Sequence, residues 1–205
     1  MCIKPRVVLY VYGPIADNKE KLMPSDLLIQ KSVKLYRSAV KGISDDAEIL
    51  VQRTPKGKPV LSELNGMHVS LTHSGKYYTV AVAECKVGID LQIHERFGKE
   101  TESEAEERYR KLSHRFFHPE ENDYVQGNPM SRFFEVWCAK ESYVKYTGEG
   151  IDDSFWLHSV MPEKLSDFGH SWQALDAYFQ TVIFSSGYSM CVCSETPVDI
   201  EVHAV

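Results

Sequence analysis

The run of residues 130–146 constrains the fold of this chain more than any other feature. Its apolar residues have the spacing of a helix, and Gly148 follows as a stop signal. Within the run, Trp137, Glu141 and Lys145 recur every fourth residue, so a helix places them on one face. An acid and a base one turn apart form either a surface ion pair, worth about 0.2–0.5 kcal/mol, or part of a functional site. The surrounding aromatic residues indicate partial burial, which favours the site.

A short apolar strand precedes this helix in the sequence and is predicted at residues 86–91, ending around Asp90. A carboxylate at the end of a strand is well placed to hold a cation. The ordinary alternative for such an aspartate is a turn or a cap. Gly88 lies two residues earlier and lets another backbone or a ligand approach the strand closely.

Composition narrows the class of protein. The 205 residues carry a net charge of −6, so we expect no global basic surface for nucleic acid or an anionic membrane. The apolar run at residues 7–12 is too short to span a bilayer. The five scattered cysteines indicate a reduced chain without a zinc site. We therefore expect a cytoplasmic protein that binds neither nucleic acid nor membrane.

The rest of the sequence pattern predicts helices and strands that frame these two segments. Helices are predicted at residues 27–40, with Ser25 or Asp26 as the cap, and at 99–115; strands at 68–72, 77–83, 156–160 and 178–184; and a polar loop at 122–129.

Five segments of the chain have the order and approximate spacing of a known set of motifs. They are Gly57-Lys58-Pro59, Val69 to Gly75, Gly88-Ile89-Asp90, Arg115 to Glu121, and Trp137-x-x-Lys140-Glu141-Ser142-x-x-Lys145. Together they resemble the signature of the 4'-phosphopantetheinyl transferases. The most similar branch is the single-chain Sfp type, which activates carrier domains of peptide and polyketide synthases. The resemblance covers roughly residues 31–151.

The resemblance implies an α+β fold of two similar halves related by pseudo-two-fold symmetry. Each half would be a small antiparallel sheet packed with helices, with the active site between the halves and the protein a monomer. The expected division gives residues 1–100, with the coenzyme A loop and the Asp90 carboxylate, and residues 101–205, with the motif helix. A pattern of strand, Ser-Gly turn and strand around residues 72–84 and 185–195 fits a duplication, although hairpins also converge on it by chance.

The implied reaction moves the 4'-phosphopantetheine arm of coenzyme A to a serine of an apo carrier protein, acyl or peptidyl, and releases 3',5'-ADP. Mg²⁺, or Mn²⁺ in its place, would be held by Asp90, Gln92 and Glu141. Gln92 stands where many Sfp-type members carry a second acid. A neutral amide offers a metal only its carbonyl oxygen or a coordinated water.

Two residues of the motif helix would take part in the chemistry. By resemblance, Glu141 also accepts the proton of the serine, directly or through a water. A metal-bound water near Gln92 is the alternative base. Lys145 would contact the pyrophosphate and stabilise charge on the departing phosphate, and its ordinary alternative is an ion pair with Glu141.

The coenzyme A contacts implied by the resemblance come mostly from the first half. Lys58 would meet the adenosine end, and Pro59 would supply an apolar wall. Thr72 replaces the usual serine of the family, and its hydroxyl can still donate a hydrogen bond. His73 would bind a phosphate of coenzyme A, with the hydroxyl of Ser74 beside it.

The remaining charged residues of the motifs have less certain roles by sequence. Lys31 stands where the family tends to carry an arginine for the 3'-phosphate, but Lys34 and Arg37 on the same predicted helix are alternatives. Lys140 points about 100° away from the motif glutamate and is predicted at the surface or an interface. Glu121 either steadies the site or caps a helix.

Docking of the carrier is expected to be local and partly apolar, because the net charge of −6 gives no long-range attraction to an acidic partner. The candidates are Lys111, Arg115, Phe116 and Phe117. A non-catalytic carrier-binding protein of the same fold is the alternative function. It would require a broken metal site, whereas Asp90 and the motif helix are intact.

Overall fold

The computed structural model describes residues 4–15, 24–44, 47–150 and 156–205, which form an α+β fold with four helices. Two four-stranded sheets have the strand orders β10-β1-β5-β4 and β6-β9-β8-β7, and β2 pairs with β3 in a small hairpin. The strands are β1 (Arg6–Tyr12), β2 (Val51–Arg53), β3 (Pro59–Leu61), β4 (His68–Ser74), β5 (Tyr77–Ala83), β6 (Val87–Ile93), β7 (Ser171–Ala174), β8 (Ala177–Thr181), β9 (Tyr188–Ser194) and β10 (Asp199–Ala204). The helices are α1 (Ser25–Lys41), α2 (Glu102–Phe116), α3 (Pro119–Gln126) and α4 (Pro129–Thr147).

The two sheets face each other, which explains why residues 7–12 of β1 are apolar without interruption. Val8 and Tyr10 of β1 belong to a core under α1. The alternate residues Val7 and Leu9 belong to a second core that also contains Ile89 of β6. Because successive side chains of a strand point to opposite faces, β1 is buried on both. The order of layers is therefore α1, first sheet, second sheet and the helices that follow β6.

The edges of the two sheets meet where β4 lies beside β6, and hydroxyl groups connect them. Ser70, Thr72 and Ser74 alternate along β4 and accept hydrogen bonds from backbone N–H groups of β6 at 3.1, 3.2 and 2.9 Å. The donors are the backbone N–H groups of Ile89, Leu91 and Ile93. These bonds satisfy backbone donors at an edge that has no partner strand on that side. Ser70 therefore has a structural role at this edge.

Gly88 lets α4 approach β6 closely, as its sequence position predicts. A Cβ atom at this position would lie 2.1 Å from the carbonyl oxygen of Ser142 and 2.3 Å from the backbone nitrogen of Tyr146. Both are backbone atoms of α4, so neither can move aside without displacing the helix. The absence of a side chain thus sets the distance between the helix and the strand.

Several predicted elements are confirmed. The first helix ends at Gly42, which has the left-handed conformation with φ of 66°, and the helix predicted at residues 130–146 ends at Gly148 with φ of 80°. The hairpin around Ser74 and Gly75 joins β4 to β5. The four cysteines that the structure describes are free and buried, as a reduced chain predicts.

Other predictions are wrong for local reasons. The polar loop expected at residues 122–129 is mostly helix α3, which begins with Pro119 and acidic residues favourable to a helix start. The strand expected at 156–160 is absent, because its first residues form a turn. Asp90 lies in the middle of β6 rather than at its end.

The start of the first helix also differs from expectation. Pro24 is its N-cap residue, and no side chain caps it. The two predicted caps bind Arg53 instead: the guanidinium donates to the Ser25 hydroxyl at 2.9 Å and forms an ion pair with Asp26. Among the described helices, none has the length and apolar character needed to cross a bilayer.

Replacement of Gly88 by alanine is expected to lower the free energy of unfolding by about 3 kcal/mol or more, since the added methyl group meets two backbone atoms of α4. Chemical denaturation would measure the change. Gly127→Ala is the control, because its Cβ would meet only the end of the Arg132 side chain and its φ is −72°. That variant should change stability by less than about 1 kcal/mol. Equal effects of the two substitutions would contradict this account of Gly88.

Candidate active site

Asp90 is a buried carboxylate that faces α4 from the middle of β6, with 1% of its surface exposed. Three side chains donate to it. Thr72 Oγ1 and Lys145 Nζ reach Oδ1 at 3.0 and 2.5 Å, and Gln92 Nε2 reaches Oδ2 at 3.0 Å. A buried charge is costly unless it is paired and hydrogen-bonded, and these donors satisfy that condition.

The hydroxyl of Thr72 uses its full hydrogen-bonding capacity at this point. It donates to Asp90 and accepts from Lys145 Nζ at 3.2 Å and from the backbone nitrogen of Leu91 at 3.2 Å. One donated and two accepted bonds are all that a hydroxyl can make. Thr72 is buried and therefore connects β4, β6 and α4 from below the site.

Lys145 pairs with Asp90 on β6 rather than with Glu141 on its own helix. The side chain of Lys145 is 29% exposed, whereas that of Asp90 is 2% exposed. The ammonium group therefore lies where the buried carboxylate meets the surface. This ion pair is a contact that helix periodicity alone does not predict.

Glu141 lies half-buried on the same stripe of α4, one turn before Lys145. Burial raises the pKa of its carboxyl group above the usual value, and the negative charge of Asp90 raises it further, while Lys145 opposes the shift. A glutamate with a raised pKa is a better proton acceptor near neutral pH. Two carboxylates and one lysine thus share the mouth of the site.

Gln92 lies on the same side of β6 as Asp90, as strand alternation predicts. An ionised carboxylate can only accept hydrogen bonds, so the Gln92 amide turns its nitrogen toward Asp90. Its carbonyl oxygen is directed away from Asp90 and remains the atom through which this side chain can bind a cation.

A cavity of about 190 Å³ adjoins Lys145 at the end of α4. Four basic residues contribute to its lining: Arg53, Lys56, Lys58 and Lys145. Sequence reasoning missed the first two, although the spacing Arg53-x-x-Lys56-x-Lys58 places three basic side chains on the β2–β3 hairpin. Ion pairs with Asp26 and Glu149 hold Arg53 and Lys56. The cavity is suited to an anion.

Lys58 connects the hairpin to the end of α4. Its Nζ donates to the carbonyl oxygen of Tyr146 at 2.7 Å, where a helix leaves carbonyl groups unpaired and favours a positive charge. Burial lowers the pKa of Lys58 to about 8, and the nearby charge of Lys86 acts in the same direction. Pro59 lies beside Lys58 in the cavity wall.

The other residues predicted for the cofactor occupy different positions. His73 is exposed and stacks on Tyr78 with 4.9 Å between ring centroids, while Ser74 binds the backbone of β6. Lys31 lies over the ring of Tyr12 at 5.2 Å and lines a separate cavity of about 630 Å³ on α1, together with Lys34 and Arg37. The structure thus gathers Lys58, Pro59 and Lys145 around one cavity and leaves Lys31 outside its lining.

The prediction that Lys140 lies at the surface is wrong. Its side chain is 2% exposed, and its Nζ is 3.0 Å from both carboxylate oxygens of the fully buried Glu121. The ammonium also donates to the carbonyl oxygen of His158 at 2.6 Å, and Glu121 accepts from the backbone nitrogens of His118 and Val160. Glu121 therefore anchors the start of α3 and the 158–160 segment to α4.

Phe117 is unavailable as a docking residue, because it is buried and stacks on Phe133. Phe116 is half-buried, with Arg115 over its ring and Trp156 5.1 Å away between centroids. Trp137 lies next to Trp156 in the same cluster. A partly exposed aromatic surface therefore begins one helical turn before Glu141.

Comparisons with known proteins identify a family that this chain matches. A family model described as the 4'-phosphopantetheinyl transferase superfamily matches residues 86–193, more than half of the chain. The matched range begins just before β6 and ends within β9. It therefore contains Asp90 and the whole of α4.

Individual relatives are named 4'-phosphopantetheinyl transferases. One from Bacillus pumilus is 29% identical over 163 residues, which are 75% of this chain and 64% of the relative. One from Aneurinibacillus migulanus is 33% identical over 155 residues, covering 71% and 56%. One from Bacillus subtilis is 28% identical over 194 residues, covering 88% and 76%. The chain thus spans less than two thirds of the length of the first two relatives.

Replacement of Thr72 by valine removes the hydroxyl while keeping the branched shape. Because Asp90, Lys145 and the Leu91 N–H each lose a partner, we expect the free energy of unfolding to fall by about 1–3 kcal/mol. Ser70→Ala is the matched control, since its hydroxyl accepts a single bond from β6. Urea denaturation of both variants would measure the difference. A loss for Thr72→Val no greater than for Ser70→Ala would remove the central role given to this hydroxyl.

Proposed function

This chain belongs to the 4'-phosphopantetheinyl transferase superfamily, and we propose that it transfers the 4'-phosphopantetheine arm of coenzyme A to a serine of an apo carrier protein, acyl or peptidyl. The observation that carries the proposal is the group of Asp90, Glu141 and Lys145 beside a basic cavity. Phosphoryl transfer requires mainly alignment and neutralisation of charge, and these residues supply both.

Coenzyme A is proposed to place its phosphates in the cavity between the β2–β3 hairpin and the end of α4. Arg53, Lys56 and Lys58 provide positive charge on one side, and Lys145 provides it next to Asp90. His73 is exposed near the end of β4 and is proposed to reach a phosphate of the same molecule. Lys31 lies on α1, outside this cavity. We propose it as the partner of the 3'-phosphate in a bound coenzyme A whose nucleotide extends toward α1.

The residues present suit Mg²⁺, with Mn²⁺ as a substitute. Mg²⁺ takes one or two carboxylates and completes its octahedron with waters and substrate phosphates. Asp90 and Glu141 are the proposed carboxylates, and Gln92 can add its carbonyl oxygen. Within the described ranges, no three or more Cys, His, Asp and Glu residues cluster as a metal-binding group. Two carboxylates and one amide fit an ion that receives its other ligands from water and phosphate.

The proposed chemistry assigns one role to each side chain. The serine oxygen of the carrier attacks the β-phosphorus of coenzyme A, a new P–O bond forms, and 3',5'-ADP leaves with the electrons of the broken P–O bond. Glu141 accepts the serine proton, directly or through a water, and a water held near Gln92 is the alternative base. Lys145 stabilises the charge that develops on the leaving phosphate. A divalent ion held by Asp90 and Glu141 would supply positive charge that neutralises the pyrophosphate.

We also propose that the fold is a duplication with pseudo-two-fold symmetry. The strand order β1-β5-β4 of the first sheet corresponds to β6-β9-β8 of the second, with antiparallel neighbours in both. Helix α1 would then correspond to α4. The hydrogen bonds of β6 place Asp90 in the second sheet, so a division after strand β5 fits the pairing better than the expected one at residue 100.

The carrier protein is proposed to dock on the aromatic surface formed by Phe116, Trp137 and Trp156, next to Arg115. This surface lies one helical turn from Glu141, so a bound carrier can present its serine to the site. A cytoplasmic monomer that binds neither nucleic acid nor membrane remains our proposal. The net charge of −6 supports it.

Incubation with coenzyme A, Mg²⁺ and an apo carrier protein tests the function. We expect the carrier to gain the mass of the phosphopantetheine arm, and we expect Glu141→Gln to lower the rate by about 100-fold or more, because it removes both the charge and the proton acceptor. Glu102→Gln, at an exposed position on α2, is the matched control and should keep the rate. Binding of the carrier without any mass gain would instead support the non-catalytic alternative.

The affinity for coenzyme A is expected to fall as the pH rises from 7 to 9.5. Lys58 has a pKa of about 8 in the free protein, and an anion binds its charged form, so binding above this pH requires uptake of a proton. The loss should approach at most about tenfold per pH unit. Calorimetric titration at several pH values measures it. In Lys58→Arg the affinity should be nearly flat over this range, and a wild-type profile in that variant would assign the effect to another group.

A further inference from the structure

Lys145 occupies the place at Asp90 that a cation would take. Its Nζ lies 2.5 Å from Oδ1, which also accepts from Thr72, while Gln92 donates to Oδ2. Oδ1 therefore has two donors, and Lys145 is the charged one. The two carboxylates and the lysine sum to a net charge of −1 at the mouth of the site.

We propose that Lys145 is a resident counter-cation that must leave Asp90 before a divalent ion can bind tightly, so that the ion and coenzyme A bind cooperatively. This inference rests on the proposed function for the identity of the anion. It adds to that function an order of events: the phosphates of coenzyme A attract Lys145 away from Asp90, and the freed carboxylate then receives the divalent ion.

The position of Lys145 allows this exchange. Its side chain is 29% exposed and also lines the basic cavity, so a rotation of the flexible stem carries Nζ from the carboxylate toward a bound anion. A divalent ion arriving alone meets a positive charge already paired with its ligand, and like charges repel. An ion that arrives together with a pyrophosphate meets less repulsion, because the pyrophosphate offers Lys145 a second anionic partner.

Thr72 holds Lys145 at Asp90 in the free protein. Its hydroxyl accepts from Nζ and donates to Oδ1, and it thereby connects the two charged groups. Gln92 differs from Lys145, because it is neutral and can turn its carbonyl oxygen to a cation. The departure of Lys145 from Asp90 therefore sets the affinity for the ion.

The inference is tested by measuring Mn²⁺ binding in the absence of coenzyme A and carrier. The electron paramagnetic resonance signal of free Mn²⁺ gives the fraction that is bound. We expect Lys145→Met to bind Mn²⁺ about tenfold more tightly than the wild type, because the competing charge-assisted bond is gone. Coenzyme A should tighten Mn²⁺ binding in the wild type by a larger factor than in Lys145→Met. Thermal unfolding would verify that the variant is folded.

Two controls separate this effect from a general change of charge. Lys145→Arg keeps the cation and should bind Mn²⁺ as the wild type does. Lys56→Met removes the same charge from the same cavity, but Lys56 pairs with Glu149 rather than Asp90, so its Mn²⁺ affinity without coenzyme A should stay unchanged.

The outcomes distinguish this inference from the proposed function. Equal or weaker Mn²⁺ binding in Lys145→Met, or an equal gain in Lys56→Met, would overturn the inference even if the wild type modifies a carrier. If no carrier is modified but Mn²⁺ binding tightens only in Lys145→Met and coenzyme A couples as expected, the function fails and the exchange of cations stands.

Discussion

A buried carboxylate, Asp90, sets the requirements that the surrounding structure meets. Burial of an unpaired charge costs several kcal/mol, so each donor to this group is also a constraint on the fold. Thr72 binds Asp90 from β4, Lys145 binds it from α4, and Gln92 binds it from two residues further along β6. One buried carboxylate therefore connects β4, β6 and α4. Asp90 itself is 2% exposed, whereas the Lys145 side chain is 29% exposed, so the lysine is the member of this pair that reaches the surface.

Two contacts near its C-terminal end position the helix α4 against this strand. Gly88 sets how closely the helix backbone can approach, and Lys58 binds the carbonyl group of Tyr146 where the helix ends. The same lysine lines the basic cavity, so the hairpin that would bind an anion also positions the helix that carries Glu141. A ligand that withdrew Lys58 from the helix end would therefore also change the support of the helix that carries Glu141.

The sequence predicted the parts of this arrangement that have a local signal. Helix α4 was predictable because its apolar spacing is regular and Gly148 ends it, and the candidate acid and base follow from that spacing. The partner of Lys145 was not predictable, since helix periodicity offers Glu141 on the same face while the actual partner comes from β6. The pair of Lys140 and Glu121 is not predictable in this way, because the polar pattern predicts a loop directly after Glu121 where the chain forms α3. Long-range contacts between charged groups leave no periodic pattern in either partner.

Two ion pairs on α4 differ in burial, and burial decides which of them a ligand can reach. Lys140 and Glu121 are 2% and 0% exposed, and the carbonyl oxygen of His158 and two backbone N–H groups complete their bonding. Breaking this pair would leave a buried charge without a partner, which typically costs about 3–5 kcal/mol. The pair of Lys140 and Glu121 is therefore a permanent contact. The pair of Lys145 and Asp90 has one equally buried member, but its lysine is 29% exposed and faces a basic cavity. Water and an anion can both reach that ammonium group, so its partner can be exchanged. Two lysines of one helix, each paired with a carboxylate, therefore form a permanent contact in one case and an exchangeable contact in the other.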